Sequence, residues 1–241
     1  MSSKEIKKEY EKKIEEILIY NENYYDKNSP IVTDKEYDIL KKEILSLEKK
    51  YNFLRSKNSP SKIVGFRPSK NFKKIKHLVP MLSLSNAFSK EDLVNFEKRV
   101  INFLNEKKDF KIEYSAEPKI DGISASLIYK NGKFDCGLSR GDGKEGEDIT
   151  ENLKTIKDVP KLISKKNFPK EIDIRGEVFI QNSDFKRLSN QFANPRNAAS
   201  GSLRQKNSEE TRKIPLKFIA YTFGYEKNMQ INTQSEYLKH L

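Results

Sequence analysis

Apolar residues in the first fifty positions recur at steps of three and four. Ile6, Tyr10, Ile14, Ile17 and Leu18 form one series, with Lys and Glu between them, which is the spacing of an amphipathic helix. Asn28-Ser29-Pro30 breaks that helix. Thr33 stands three residues before Glu36, the capping-box spacing, and Asp34 falls in the first turn, where the helix dipole favours a carboxylate. Tyr37, Leu40, Ile44, Leu47 and Tyr51 then make a second stripe. Two antiparallel helices joined by a short turn are expected. Asn58-Ser59-Pro60-Ser61 and Gly65-Phe66-Arg67-Pro68 read as linker. The pattern predicts a small helical domain over residues 1–71 and a second domain over residues 72–241.

The period changes in the second domain. Lys90 to Glu106 predicts one more amphipathic helix, with Leu93, Phe96, Val100, Phe103 and Leu104 on its inner face. Phe110, Ile112, Tyr114 and Ala116 alternate and predict a strand. Runs at 123–129 and 134–139 flank Asn131-Gly132, a strong hairpin signal. Further strands are expected at 171–180 and 216–225, a helix over 183–191, and a helix start at Ser235. Strands joined by hairpins and interspersed with helices imply an antiparallel α+β fold. No internal repeat is visible.

Composition adds less. The chain has 241 residues, 35% hydrophobic and 34% charged, with a formal charge of +12. That balance suits a polyanionic partner, and a Lys- and Asn-rich composition without a binding face explains it as well. A single cysteine, Cys136, excludes an internal disulfide and a four-cysteine zinc site. No apolar run approaches the ~18 residues that span a bilayer, so a soluble, cytoplasmic protein is expected.

The chemistry concentrates in a few segments. In Glu117-Pro118-Lys119-Ile120-Asp121-Gly122, a lysine falls between carboxylates at i−2 and i+2. On an extended segment these side chains share one side, which suits a nucleophilic amine; a lysine on a strand edge beside a Gly turn fits as well. The run from Ser139 through Arg140-Gly141-Asp142-Gly143 to Asp148 is a Gly-rich loop. Its amides can approach phosphate, though the Gly-Lys-Ser/Thr ending of a P-loop is absent, and a solvated hairpin loop is the commoner origin of such a run. Arg175-Gly176-Glu177 puts a carboxylate at the head of an apolar strand, where it either holds a ribose hydroxyl or stands exposed. The stretch from Phe192 to Arg204 surrounds Arg196 and Arg204 with small residues, a composition that admits phosphate or tight helix packing. Tyr221 is a base-stacking or a core tyrosine.

Taken in order, these segments resemble the bacterial NAD-dependent DNA ligases. The likeness runs through Tyr24-Tyr25, Asp34-Lys35-Glu36-Tyr37-Asp38, Pro80 to Phe88, Lys119-Ile120-Asp121-Gly122, Arg140 to Gly143, Gly146 to Thr150, Arg175 to Val178, Asn194 to Ala199 and Gly201 to Gln205. The resemblance implies a helical domain for the nicotinamide mononucleotide half of NAD, followed by an antiparallel-sheet, ATP-grasp-like nucleotidyltransferase (adenylation) domain. Tyr24 and Tyr25 would pack on nicotinamide, and the run Asp34, Lys35, Glu36, Tyr37 and Asp38 would surround its ribose and phosphate. Lys119 would attack the α-phosphorus of NAD, with Asp121 supporting it or a Mg²⁺. Ser83 and Leu84 would border the nucleotide, Glu117 would contact adenine and Tyr221 stack on it. Arg140 would reach ribose or phosphate and Glu177 the ribose. Arg196 and Arg204 would meet phosphates of cofactor or DNA.

The implied cofactors are NAD and Mg²⁺. The implied partner is nicked double-stranded DNA, handled by a monomer in DNA replication and repair. Two further strand motifs of the family's adenylation domain, each with an essential lysine, are not found up to Leu241. Nor are the oligonucleotide-binding barrel, the four-cysteine zinc finger, the helix-hairpin-helix repeats or the BRCT domain. A domain incomplete at its C-terminus is therefore expected, one that would not seal nicks alone. The alternatives are a non-catalytic NAD- or nucleic-acid-binding module, and an ATP-dependent ligase or capping-type nucleotidyltransferase, which share Lys-x-Asp-Gly.

Overall fold

The computed structural model describes residues 3–23, 31–54, 56–62, 72–107, 110–227 and 231–240. Tyr24, Tyr25, the Asn28–Pro30 break and the Gly65–Pro68 linker lie outside them, as do the side chains of Asp34 and Lys35.

The two N-terminal stripes meet each other. Helix α1 (Ser3–Asn21) buries Ile6, Tyr10, Ile14 and Ile17 against Leu40 and Ile44 of α2 (Asp34–Lys50). The pairing is antiparallel: Tyr10 bonds Glu48, Lys13 bonds Glu43, and Asn21 bonds Tyr37. Thr33 and Glu36 cap α2 reciprocally, closing the expected box. The Tyr10 hydroxyl donates to Glu48 at 2.6 Å and accepts from the Ser56 amide at 3.1 Å, so one buried phenol ties down the loop after α2. Burial and the Glu48 carboxylate push that phenol up to about 12.

Beyond residue 72 the order is β1 (Lys74–Lys76), α3 (Lys90–Leu104), β2 (Ile123–Lys130), β3 (Lys133–Ser139), β4 (Glu145–Glu147), α4 (Thr150–Leu153), β5 (Glu171–Phe179), α5 (Asn182–Phe185), α6 (Pro195–Leu203), α7 (Ser208–Arg212), β6 (Lys217–Glu226) and α8 (Gln234–His240). Four strands form an antiparallel sheet in the order β3-β2-β5-β6, and β1 pairs with β4 beside it. The Asn131-Gly132 turn has φ of 49° and 76°. Both residues are left-handed, as a two-residue type I′ hairpin demands.

Alternation along β5 and β2 gives the sheet two unlike faces. Ile172, Ile174 and Val178, with Ala125, Leu127 and Tyr129, point into the core. There they meet Ala198, Ala199 and Leu203 of α6 and Ile149, Leu153, Ile156 and Val159. Small residues in α6 let the helix lie close to the sheet. Asp173, Arg175 and Glu177 occupy the other face of β5, opposite Ile128, Ser126 and Ser124 of β2. An alternating strand normally turns such a face to water. Here Asp173 is 1%, Arg175 8% and Glu177 9% exposed.

Several expectations need correction. Residues 110–121 are irregular, and Phe110 and Tyr114 are exposed. A strand needs a neighbour to bond. β2 already has β3 and β5 on its edges, and among the described residues no strand lines up with this segment. The apolar face of α3 is also largely uncovered: Ile101 is its buried residue, while Leu93, Phe96 and Phe103 are exposed. The helix expected over 183–191 shortens to α5 followed by turns. Glu177 lies late in β5 and buried, where the sequence put it at the head of a strand.

Leu127 is 2% exposed in the sheet core. Leu127→Ala should destabilise the chain by about 2–5 kcal/mol through lost burial and a residual cavity, measured as a lower urea midpoint at unchanged m-value.

Candidate active site

The polar face of the sheet is held by side-chain pairs that the strand register sets up. Ser126 donates to Asp173, and Arg175 donates to the same carboxylate from Nε at 3.2 Å and Nη2 at 3.0 Å. The rest of the Arg175 fork reaches out of the sheet, Nη1 to the Pro80 carbonyl at 3.1 Å and Nη2 to that of Val79. A planar guanidinium can serve a carboxylate and two carbonyls at once where an ammonium cannot. Arg175 thereby fastens the segment leading into Ser83 and Leu84, both of which are exposed.

Glu177 sits at the open end of this face. Ser124 donates to its Oε2 at 3.0 Å. Burial pushes its carboxyl above the usual range, and the Ser124 hydrogen bond and the charges of Arg196, Lys119 and Arg140 pull it back down. Three cations from three distant segments therefore act on one buried carboxylate. Asp121 accepts from Arg196 Nη1 at 2.9 Å, so its contact in this structure is with the arginine of α6. A Cβ at Gly122 would drive into the Val178 carbonyl oxygen and crowd Glu177. Only glycine lets this segment cross β5 so closely. Lys119 is exposed on the rim.

Tyr221 enters through a bulge. Arg175 pairs with Thr222 and Gly176 with Ala220, which leaves Tyr221 as the extra residue, and a bulge re-aims its side chain. Burial raises its phenol, with Ser124 and Glu177 beside it. Glu117 is tethered from α8: Gln234 Nε2 donates to its Oε1 at 3.1 Å and to the Tyr221 carbonyl at 2.6 Å, and Ser115 donates to the same Oε1 at 3.0 Å. Arg140 follows β3, and its charge acts on both Glu177 and Tyr221.

Other expected residues lie elsewhere. Arg204 pairs through Nε with the fully buried Glu147 at 3.0 Å, an internal tie between α6 and β4. Glu36 caps α2, and Tyr37 donates to Asn21. Asp38 accepts from Asn86 Nδ2 at 2.8 Å, a contact with the run that follows Ser83 and Leu84. Among the described residues no group of three or more His, Cys, Asp or Glu side chains could hold a metal ion, and no helix is long and apolar enough to cross a membrane. Ser124, Arg175 and Gln234 escaped the sequence reading as working parts. Of the three, only Arg175 carried a signal, as a charge at an alternating position of a central strand.

A buried carboxylate ringed by cations, with a bulged tyrosine beside it, suits a ligand that carries phosphate, hydroxyls and an aromatic base. Known proteins resemble the chain over both of its parts. Residues 69–241 match the family model described as NAD-dependent DNA ligase adenylation domain, and residues 3–65 the DNA ligase-like, N-terminal NAD+-binding domain. The chain is 68% identical over 241 residues to a DNA ligase of Pelagibacter ubique (strain HTCC1062), covering 100% of this chain and 36% of that protein. It is 45% identical over 243 residues to a DNA ligase of Parvibaculum lavamentivorans, covering 98% and 34%. With a DNA ligase of Coprothermobacter proteolyticus it shares 42% over 247 residues, covering 99% and 37%. The chain thus spans about a third of the length of these curated relatives.

The raised carboxyl of Glu177 gives a signed prediction. A group whose folded value is raised adds its stability below the unfolded value and loses it as pH rises through the folded one. Ionised Glu177 therefore costs stability at neutral pH. Glu177→Gln should raise Tm at pH 7.5 by about 2–4 °C, the shift expected for ~1 kcal/mol. The gain should vanish near pH 4, where the native carboxyl is itself protonated; thermal scans across pH check it.

Proposed function

Because the chain belongs to the NAD-dependent DNA ligase family, we propose that it carries the family's first step, transfer of the adenylyl group of NAD to Lys119. The observation that supports this most is the convergence of Lys119, Arg140 and Arg196 on buried Glu177. In this reading the Lys119 amine, having lost a proton to solvent, attacks the α-phosphorus. A P–N bond forms, the bond from that phosphorus to the bridging oxygen breaks, nicotinamide mononucleotide leaves with its phosphate, and the new P–N nitrogen gives up a second proton to solvent. Arg140 and Arg196 neutralise charge on the phosphoryl oxygens, a displacement governed by positioning and electrostatics. Glu177 accepts from a ribose hydroxyl, Tyr221 stacks on adenine, Glu117 accepts from the base amine, and Ser83 and Leu84 border the nucleotide. Asp121 orients Arg196 across their 2.9 Å pair. Tyr24, Tyr25, Asp34, Tyr37 and Asp38 take the nicotinamide mononucleotide half, flanked in sequence by Lys35 and Glu36.

The described residues offer no cage for Mg²⁺. An ion carried by the dinucleotide's own phosphates needs only one or two carboxylates from the protein, and no step above depends on it. The later steps are proposals for the longer protein. AMP passes to a 5′-phosphate and a 3′-hydroxyl then displaces it, sealing nicked duplex DNA in replication and repair. The +12 charge would assist against a polyanion, while Arg204 is engaged internally by Glu147. A cytoplasmic monomer completes the proposal.

The exposed position of Lys119 on an irregular segment favours a second reading, in which this chain binds NAD without covalent transfer. Intact-mass measurement after incubation with NAD and Mg²⁺ separates the two. Transfer predicts a gain of one AMP that Lys119→Ala abolishes and ATP does not produce. NAD binding with no gain in mass selects the second reading, and loss of both overturns the proposal.

A further inference from the structure

His77 is 5% exposed and lies directly after β1, beneath the Gly-rich loop. Its Nε2 is 3.1 Å from the Arg140 carbonyl oxygen. A carbonyl only accepts, so Nε2 carries the proton and donates. Nδ1 is then an acceptor, buried without a hydrogen-bond partner among the described residues, which is a costly arrangement to retain. Burial pushes the imidazole below its usual value, consistent with a neutral ring.

Other contacts converge on the same loop. The His77 amide donates to the Lys144 carbonyl and the Met81 amide to that of Gly143. The Gly143 amide shares the Arg140 carbonyl with the imidazole, at 3.0 Å. Gly146 faces the ring so closely that a Cβ there would meet Nε2 and Cε1. Backbone contacts from His77 and Met81 hold the loop at Gly143 and Lys144, and the imidazole holds the backbone of Arg140, whose charge acts on Glu177.

We propose that His77 is a positioning residue, whose Nε2–H fixes the Arg140 backbone and so aims that guanidinium at the dinucleotide's phosphate or ribose. The proposal rests on the adenylyl-transfer reading for its ligand and on this structure alone for the fastening.

The test uses the 241-residue chain with His77→Leu, which removes the donor, and His77→Gln, whose amide nitrogen falls near the imidazole Nε2. Amide hydrogen exchange is read without ligand, and NAD binding by calorimetry. His77→Leu should speed exchange at Asp142, Gly143 and Glu145 roughly tenfold and weaken NAD binding roughly tenfold, the scale of one buried hydrogen bond. Core amides of β2 and β5 should stay unchanged. His77→Gln should stay within about twofold on both readouts.

The proposal is overturned if Leu leaves loop exchange and binding as they were, or if a folded Gln variant loses as much as Leu. If Leu unfolds the core, the Gln variant decides: normal loop and binding support the proposal, and a loosened loop with lost binding overturns it. Should the unaltered chain bind no NAD, the adenylyl-transfer reading fails, and the exchange contrast still upholds or overturns the fastening.

Discussion

The site depends on burying a charged face of a central strand. Asp173, Arg175 and Glu177 alternate along β5 and are all less than a tenth exposed. Taking three charges from water costs several kcal/mol each unless they are paired and hydrogen-bonded. The first two meet that condition within the sheet and the loop above it. Asp173 receives Ser126 and Arg175, and Arg175 spends its other donors on the Val79 and Pro80 carbonyls. Removing either partner would strand the other, so the pair fixes both the strand pairing and the path of residues 77–81. Glu177 has the Ser124 donor and the charges of Arg196, Lys119 and Arg140 to offset its burial.

From this fixed face the remaining parts follow by close approach. Gly122 allows the Lys119 segment to cross β5 at Val178, the bulge at Tyr221 turns a ring toward Glu177, and Gln234 ties Glu117 back to β6. Two of these are local backbone devices and the third is a long-range side-chain tie, and all three act on the sheet to hold functional groups in place. The N-terminal pair of helices has a core of its own and touches this assembly through Asp38 and Asn86. In the proposed reading, two separately packed units would meet the two halves of a dinucleotide.

How much of this was legible in the sequence varied with the range of the forces involved. The α1 and α2 stripes, the Thr33 cap and the Asn131-Gly132 hairpin are local patterns and were readable. The strand at 171–180 was equally readable, but the burial of its polar face was not. That burial depends on Arg175 meeting carbonyls about a hundred residues away in sequence. Phe110 to Ala116 has the right alternation and no partner strand among the described residues, so the pattern does not become a ladder. Ser124 and Gln234 belong to no short motif, and His77 is one of only two histidines in a lysine-rich chain. Their roles arise from register and packing, which spacing along the chain does not encode.

The unequal rigidity of the site has a chemical consequence. Glu177 and the backbone of Arg140 stand on paired strands or pinned loops, while Lys119 stands on an irregular stretch joined to the sheet at Gly122. In the proposed reading, recognition of a nucleotide would therefore be preorganised even where the nucleophile is not. In-line attack at phosphorus needs the amine held near 3–3.5 Å along one direction. Ordering that amine must draw on the binding energy of the dinucleotide or on further packing against residues 110–121. In the proposed reading, binding and covalent transfer would thus be physically separable, because they would rest on structures of different stiffness.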